Sequence, residues 1–172
     1  MKKVLFSLIA LMSVMTVQAQ SICATWRTMQ PIVETAEDGS MTIQNVLYTF
    51  NEDGTYSYVD EFTMSSEPAP TMALEIATCI EVKGTYTLEG DQLTMTNDMK
   101  TYKAEILSIS MNGKVADNPM VSGRIKSMLN SEEFKAQFDS VETNTIKVSD
   151  STLEMKDGEQ TWMFTRFAAI NN

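Results

Sequence analysis

This chain of 172 residues contains no histidine. That omission removes the Ser-His-Asp and Cys-His nucleophilic arrangements, His-ligated zinc and copper, and the usual general base near neutral pH. Chemistry by carboxylates alone survives it, because two Asp or Glu side chains can divide the acid and base roles. Glu61, Glu67, Glu75 and Glu81 are the candidates for such a pair. The chain carries 23 Asp and Glu against 13 Lys and Arg, so exposed carboxylates are the commoner explanation, and the sequence reads as non-catalytic. Asn51-Glu52-Asp53-Gly54 offers oxygen ligands but is too short for a helical calcium loop and reads as a turn. No Gly-rich phosphate loop is present. Two cysteines without histidine are too few ligands for a metal. No metal and no cofactor is therefore expected.

What remains is binding chemistry. Tyr48, Phe50, Tyr56, Tyr58, Tyr86, Met95 and Tyr102 recur along alternating segments. Each tyrosine combines an apolar body with one hydroxyl able to orient a ligand. Of the 14 methionines, 11 lie beyond residue 19. Flexible thioethers suit an adaptable cavity and an ordinary core alike. Alternation alone leaves open whether these faces meet around a ligand, meet in a closed core, or look outward.

The elements that carry these residues are hairpins. Val46–Phe50 turns at Asn51-Glu52-Asp53-Gly54 into Thr55–Tyr58. Gly84–Leu88 turns at Glu89-Gly90-Asp91 into Gln92–Met95. Ile106–Ser110 reaches Asn112-Gly113, and Leu153–Met155 turns at Lys156-Asp157-Gly158-Glu159 into Thr161–Phe167. Asp-Gly and Asn-Gly between alternating runs are strong hairpin signals, since glycine tolerates the positive φ of tight turns. A succession of hairpins is an antiparallel meander, and closure into a barrel hides its edges. Asp60 shares a face with Tyr56, Tyr58 and Phe62, a position expected near a rim or beside a bulge. Gln30–Ser40 reads as a polar connection, Ser65–Pro70 as a loop, and Gly84 as a bend or bulge. At Asn118-Pro119 the period changes: Val121, Ile125, Met128, Leu129, Phe134 and Phe138 predict one interrupted helix or two short ones over 119–138. That segment is expected outside the barrel or across one end.

Residues 1–19 read as a secretory signal: Lys2 and Lys3, then an apolar run from Val4 to Met15, then Val17-Gln18-Ala19. The expected product is one domain, residues 20–172, periplasmic or secreted. Its 153 residues suffice for one core. Loss of Lys2 and Lys3 leaves 11 basic against 23 acidic residues, a charge of −12. Such a surface repels nucleic acid and anionic headgroups. Beyond the signal, no stretch approaches the roughly 18 apolar residues of a membrane span. Export makes a Cys23–Cys79 disulfide permissible; closing about 57 residues, it would add roughly 4 kcal/mol in the chain-entropy model. Buried thiols are the alternative.

Several motifs occur together in one order: Trp26; Tyr48, Phe50, Asp53, Gly54, Thr55, Tyr56; Gly84, Tyr86, Leu88, Gly90, Asp91, Leu93; and Phe164, Arg166. This series resembles the lipocalin-like (calycin) proteins, particularly the small exported lipocalin-like domains of Gram-negative bacteria. The resemblance implies a structural pair at the barrel base, Trp26 with Arg166. Two departures are Ala24 in place of glycine and a helical segment before the last three strands.

These readings combine into one expectation: an all-β meander barrel of about eight to ten strands with a helical insertion. It would bind or carry a small apolar or amphipathic molecule without catalysis. The first alternative is a protein-interaction or inhibitor module with a filled barrel. The second is a carboxylate-dependent enzyme. A carrier requires a cavity of roughly 300 Å³ or more.

Overall fold

The computed structural model describes residues 22–36, 39–69 and 72–167. The predicted export signal, residues 1–19, lies outside them. Ten strands and two short helices follow in order: β1 (Thr25–Thr28), β2 (Ile32–Ala36), β3 (Gly39–Phe50), β4 (Thr55–Ala69), β5 (Met72–Glu89), β6 (Gln92–Met111), β7 (Lys114–Val115), α1 (Pro119–Leu129), α2 (Glu132–Lys135), β8 (Val141–Val148), β9 (Thr152–Asp157) and β10 (Gln160–Phe167). Among the described residues, no helix is long and apolar enough to cross a membrane.

Eight of the strands form a ring. The order β3-β4-β5-β6-β8-β9-β10-β1 is antiparallel throughout, and β1 closes it on β3 through Thr25↔Thr49, Trp26↔Tyr48 and Arg27↔Leu47. Three residues of β1, Thr25, Trp26 and Arg27, thus pair on both sides, which removes the two edges an open meander would leave. β2 lies outside the ring against β3, and β7 extends β6. The Asn112-Gly113 turn behaves as its residues dictate: both take positive φ, 51° and 73°, the geometry of a tight hairpin turn.

One parity of each strand faces inward. On β5 it is the even set: Ile76, Thr78, Ile80, Val82 and Tyr86 are buried while Glu75, Glu81 and Lys83 are exposed. On β4 it is again the even set, Tyr56, Tyr58, Asp60 and Phe62. On β3 the register shifts between Ile43 and Asn45, so Ile43 faces inward before the bulge and Val46, Tyr48 and Phe50 after it. Asp60 pairs with Val46 beside that bulge, which is one of the two places expected for it. Gly84 needs its bare backbone: a Cβ there would strike the Thr96 carbonyl oxygen and sit 2.7 Å from a ring carbon of Tyr56.

Three segments depart from the sequence reading. The supposed connection 30–40 contains β2 and the start of β3, which pair as Ile32↔Ile43 through Ala36↔Gly39. The supposed loop 65–70 is β4 continued to Ala69. Pro68 falls in the Ser66/Ala69 register shift on β5, an irregularity of the kind where a strand accepts proline. The third departure is that β6 is one strand, with an excursion at 99–102 where pairing jumps from Lys83↔Asp98 to Glu81↔Lys103. The helical insertion has the expected form. Asn118 caps α1, accepting from the Met120 and Val121 amides, and Ser131 caps α2 by accepting from Phe134.

Candidate functional site

The two ends of the ring are built differently. The turns at 51–54, 89–92 and 149–151 gather at the base with the N-terminal Ile22 and Cys23. Neighbouring strands hold them there: Phe50 N–H donates to the Ala24 carbonyl at 3.0 Å, Tyr86 N–H to Gly54 at 2.8 Å, and Arg166 N–H to Ser151 at 2.9 Å. The opposite end, the mouth, carries the 157–160 turn and the helical segment.

Polar groups at the base are matched. Trp26 is fully buried, and its Nε1 donates to the Ile22 carbonyl at 2.8 Å. The Arg166 guanidinium lies 5.1 Å from the Trp26 ring centre, within cation–π range. Tyr86 Oη donates to the Asn51 carbonyl at 2.8 Å and meets Cys23 Sγ at 3.4 Å. Cys23 and Cys79 are not bridged. The reason is parity: Cys23 packs at the base with the inward-facing Tyr86, whereas Cys79 belongs to the outward set of β5. Burial and nearby Glu61, Glu81 and Glu105 raise the Cys79 thiol to about 11, so it is protonated at neutral pH.

Toward the mouth the interior opens. A cavity of about 240 Å³ is walled by Tyr48, Tyr58, Trp162 and Phe164 with Asn144 and Met155; Glu142, Asp157 and Gln160 reach it from the rim. A second chamber of about 220 Å³ adjoins it, sharing Tyr48, Tyr58 and Glu142 and adding Tyr56, Asn97 and Phe138. The first alone falls short of the roughly 300 Å³ expected of a carrier, and together the two enter the range of ligand pockets. An aromatic ladder runs into them from the base: Tyr86 meets Phe50 edge-on at 5.1 Å, Phe50 stacks on Tyr48 at 5.8 Å, and Tyr48 meets Tyr58 at 5.0 Å.

Of the residues singled out in sequence, Tyr48, Tyr56 and Tyr58 line these chambers. Phe50, Tyr86, Met95 and Tyr102 do not. Phe50 and Tyr86 fill the base, and Met95 is buried beside them in register with Tyr86. Tyr102 anchors the helical cover: its Oη donates to the Leu129 carbonyl at 2.8 Å and its ring packs on Phe138. Asn97 does the same for the chain end of that cover, donating to the Phe138 carbonyl at 2.9 Å while accepting from Tyr56 Oη at 2.6 Å.

The carboxylates also differ from the candidates. Glu61, Glu67, Glu75 and Glu81 all carry odd numbers on β4 and β5 and belong to the outward sets. Of the carboxylates at inward-parity positions, Asp60 is buried, while Glu142 and Asp157 are exposed at the rim. Parity carries the signal: Ile146 is buried on β8, so Asn144 and Glu142 share its face, and Leu153 and Met155 point Asp157 the same way. Asp60 is 8% exposed; its Oδ2 accepts from Tyr58 Oη at 3.1 Å, and its Oδ1 is buried with no hydrogen-bond partner. Burial pushes its carboxyl up to about 6, opposed by the Tyr58 hydrogen bond. Burial and then the charge of Asp157 raise Glu142. Tyr48 and Tyr58 are held well above the usual phenol range, chiefly by burial, so both keep their protons. Among the described residues, no group of three or more Cys, Asp or Glu is placed to hold a metal ion.

An antiparallel ring of eight strands in meander order, with two adjoining chambers near its mouth, is now in view. The fold is lipocalin-like. Two solved structures show likeness to it. A lipocalin-like protein from Bacteroides uniformis is 15% identical over 86% of this chain and 99% of its own, with a TM-score of 0.41. An uncharacterized protein from Bacteroides eggerthii is 11% identical over 84% of this chain and 98% of its own, with a TM-score of 0.42. No protein-family model and no curated protein matches this chain.

Proposed function

We propose that this barrel binds one small amphipathic molecule at its mouth, without catalysing a reaction, as a single exported domain of the periplasm or cell exterior. The observation that carries the reading is the pair of adjoining chambers, one walled by Tyr48, Tyr58, Trp162 and Phe164 and rimmed by polar side chains. Aromatic walls with a few convergent polar groups are the usual make-up of a ligand pocket. Export rests on the sequence of residues 1–19 alone. A filled barrel acting through its surface would need a packed mouth, and the chambers argue against that alternative.

The test is native mass spectrometry of the protein purified from its own source. The expected result is a one-to-one adduct that dissociates on denaturation. A bare chain mass from repeated preparations, together with an occluded mouth in a crystal structure, would remove the reading.

A further inference from the structure

The charge inside the mouth is one-sided. Glu142 and Asp157 stand at the wall of the larger chamber, and among the described residues no Lys or Arg lines either chamber. Basic side chains on the same strands are committed elsewhere: Lys147 pairs with Glu154 at 3.2 Å, and Arg166 covers Trp26 at the base. Lys156 has the opposite parity to Met155 and Asp157, and it is exposed. A third carboxylate, Asp60, is buried on the inward face of β4 with one oxygen unpartnered, hydrogen-bonded through the other to the Tyr58 ring that walls both chambers. Like charges gathered at one mouth without a cation repel one another, and a bound cation relieves that repulsion. Electron-rich rings beside them, Tyr48, Tyr58 and Trp162, are the surroundings that stabilise an organic cation.

We propose that the ligand of this barrel is an organic amine, its cationic head seated between Glu142 and Asp157 beside Tyr48 and Tyr58, and its apolar part directed toward Trp162 and Phe164. This rests on the reading that the barrel binds a small molecule. It excludes fatty acids and other anionic amphiphiles, whose carboxylate would meet like charge.

Three probes of one size separate the possibilities: phenethylamine, phenethyl alcohol and 3-phenylpropionate, titrated at pH 7.5 by the fluorescence of Trp162 and by calorimetry. The amine is expected to bind at least tenfold more tightly than the alcohol, with no detectable binding of the anion. Glu142→Gln and Asp157→Asn are each expected to weaken the amine about tenfold and leave the alcohol unchanged. Both variants are near-isosteric at the rim, and circular dichroism checks their fold. Glu81→Gln, on the outward face of β5, is the control and leaves all three affinities as they were. Binding of the alcohol as tight as the amine, or tightest binding of the anion, overturns the amine proposal while leaving the barrel a binding protein. Failure of all three probes to bind the folded chain overturns the amine proposal, while the binding reading itself falls only with a bare chain mass and an occluded mouth.

Discussion

Base and mouth of one barrel follow opposite rules. At the base, Trp26, Ile22, Leu93 and Leu153 are fully buried, and the polar atoms among them have partners: indole to carbonyl, phenol to carbonyl, guanidinium to ring. At the mouth the same inward parity delivers Glu142, Asn144 and Asp157 around unfilled space, with Asp60 buried on β4 beside Tyr58. A polypeptide gains stability by packing and satisfying its interior. An end that instead keeps a carboxylate oxygen buried and unpartnered forgoes part of that stability, and such sites cluster where proteins bind. The comparison teaches that one end of the barrel is packed and satisfied, while the other keeps open space lined by aromatic and acidic side chains.

Four substitutions sharpen or break this contrast. The largest effect belongs to Trp26→Ala at the base, expected to cost about 3–5 kcal/mol in urea unfolding, against about 0.5 kcal/mol or less for Gln160→Ala at the rim. Similar costs at both ends would erase the distinction. Next comes Gly84→Ala, where the added methyl meets the Thr96 carbonyl and the Tyr56 ring. A loss of about 1–3 kcal/mol is expected, and the cost of Gly84→Ala should be smaller when measured in a Tyr56→Ala background, where one of the two obstructions is gone.

Third, Asp60→Asn is expected to stabilise, and only at higher pH. The folded carboxyl titrates at about 6, above its ordinary 3.8, so the folded chain holds this proton more tightly than the unfolded chain. Relative stability from this group is therefore fully present below pH 4 and is lost as pH rises through 6; Glu142, shifted the same way, adds to the trend. The melting difference between variant and parent should grow from near zero at pH 4 to an equivalent of about 3 kcal/mol or less at pH 8. A difference independent of pH would place Asp60 in water rather than in the interior. The smallest effect is Asn118→Ala, which removes the cap of α1 and should cost about 1 kcal/mol in thermal unfolding while leaving the base untouched.

Much of this fold was legible because its signals are local. Asn112-Gly113 and Asp53-Gly54 specify turns through their own backbone preferences, and Asn118-Pro119 starts a helix for reasons contained in two residues. β2 was not legible: Ile32-Val33-Glu34-Thr35 lacks an aromatic alternation, and it is a strand because β3 lies beside it. The interior was half legible. Tyr48, Tyr56 and Tyr58 follow from the two-residue period of one hairpin. The bulge between Ile43 and Asn45 and the excursion at 99–102 each change which parity faces in. On β6 the inward set is Leu93 and Met95 before the excursion and Tyr102, Ala104 and Ile106 after it, where Tyr102 packs under the helical cover. Glu142 and Asp157 were hidden by their type, since an acidic residue near a strand end looks like surface until its neighbours Ile146 and Met155 are known to be buried.

The contrast between packed base and open mouth is tested most directly by methionine-methyl NMR of the folded chain during titration with phenethylamine and phenethyl alcohol. Met155 lines the larger chamber, whereas Met95 is buried outside both. The account predicts a saturable shift of the Met155 methyl with at least the amine, and an unmoved Met95. Saturation with Met95 shifted and Met155 unmoved, or shifts confined to exposed methionines such as Met29 and Met120, would contradict it.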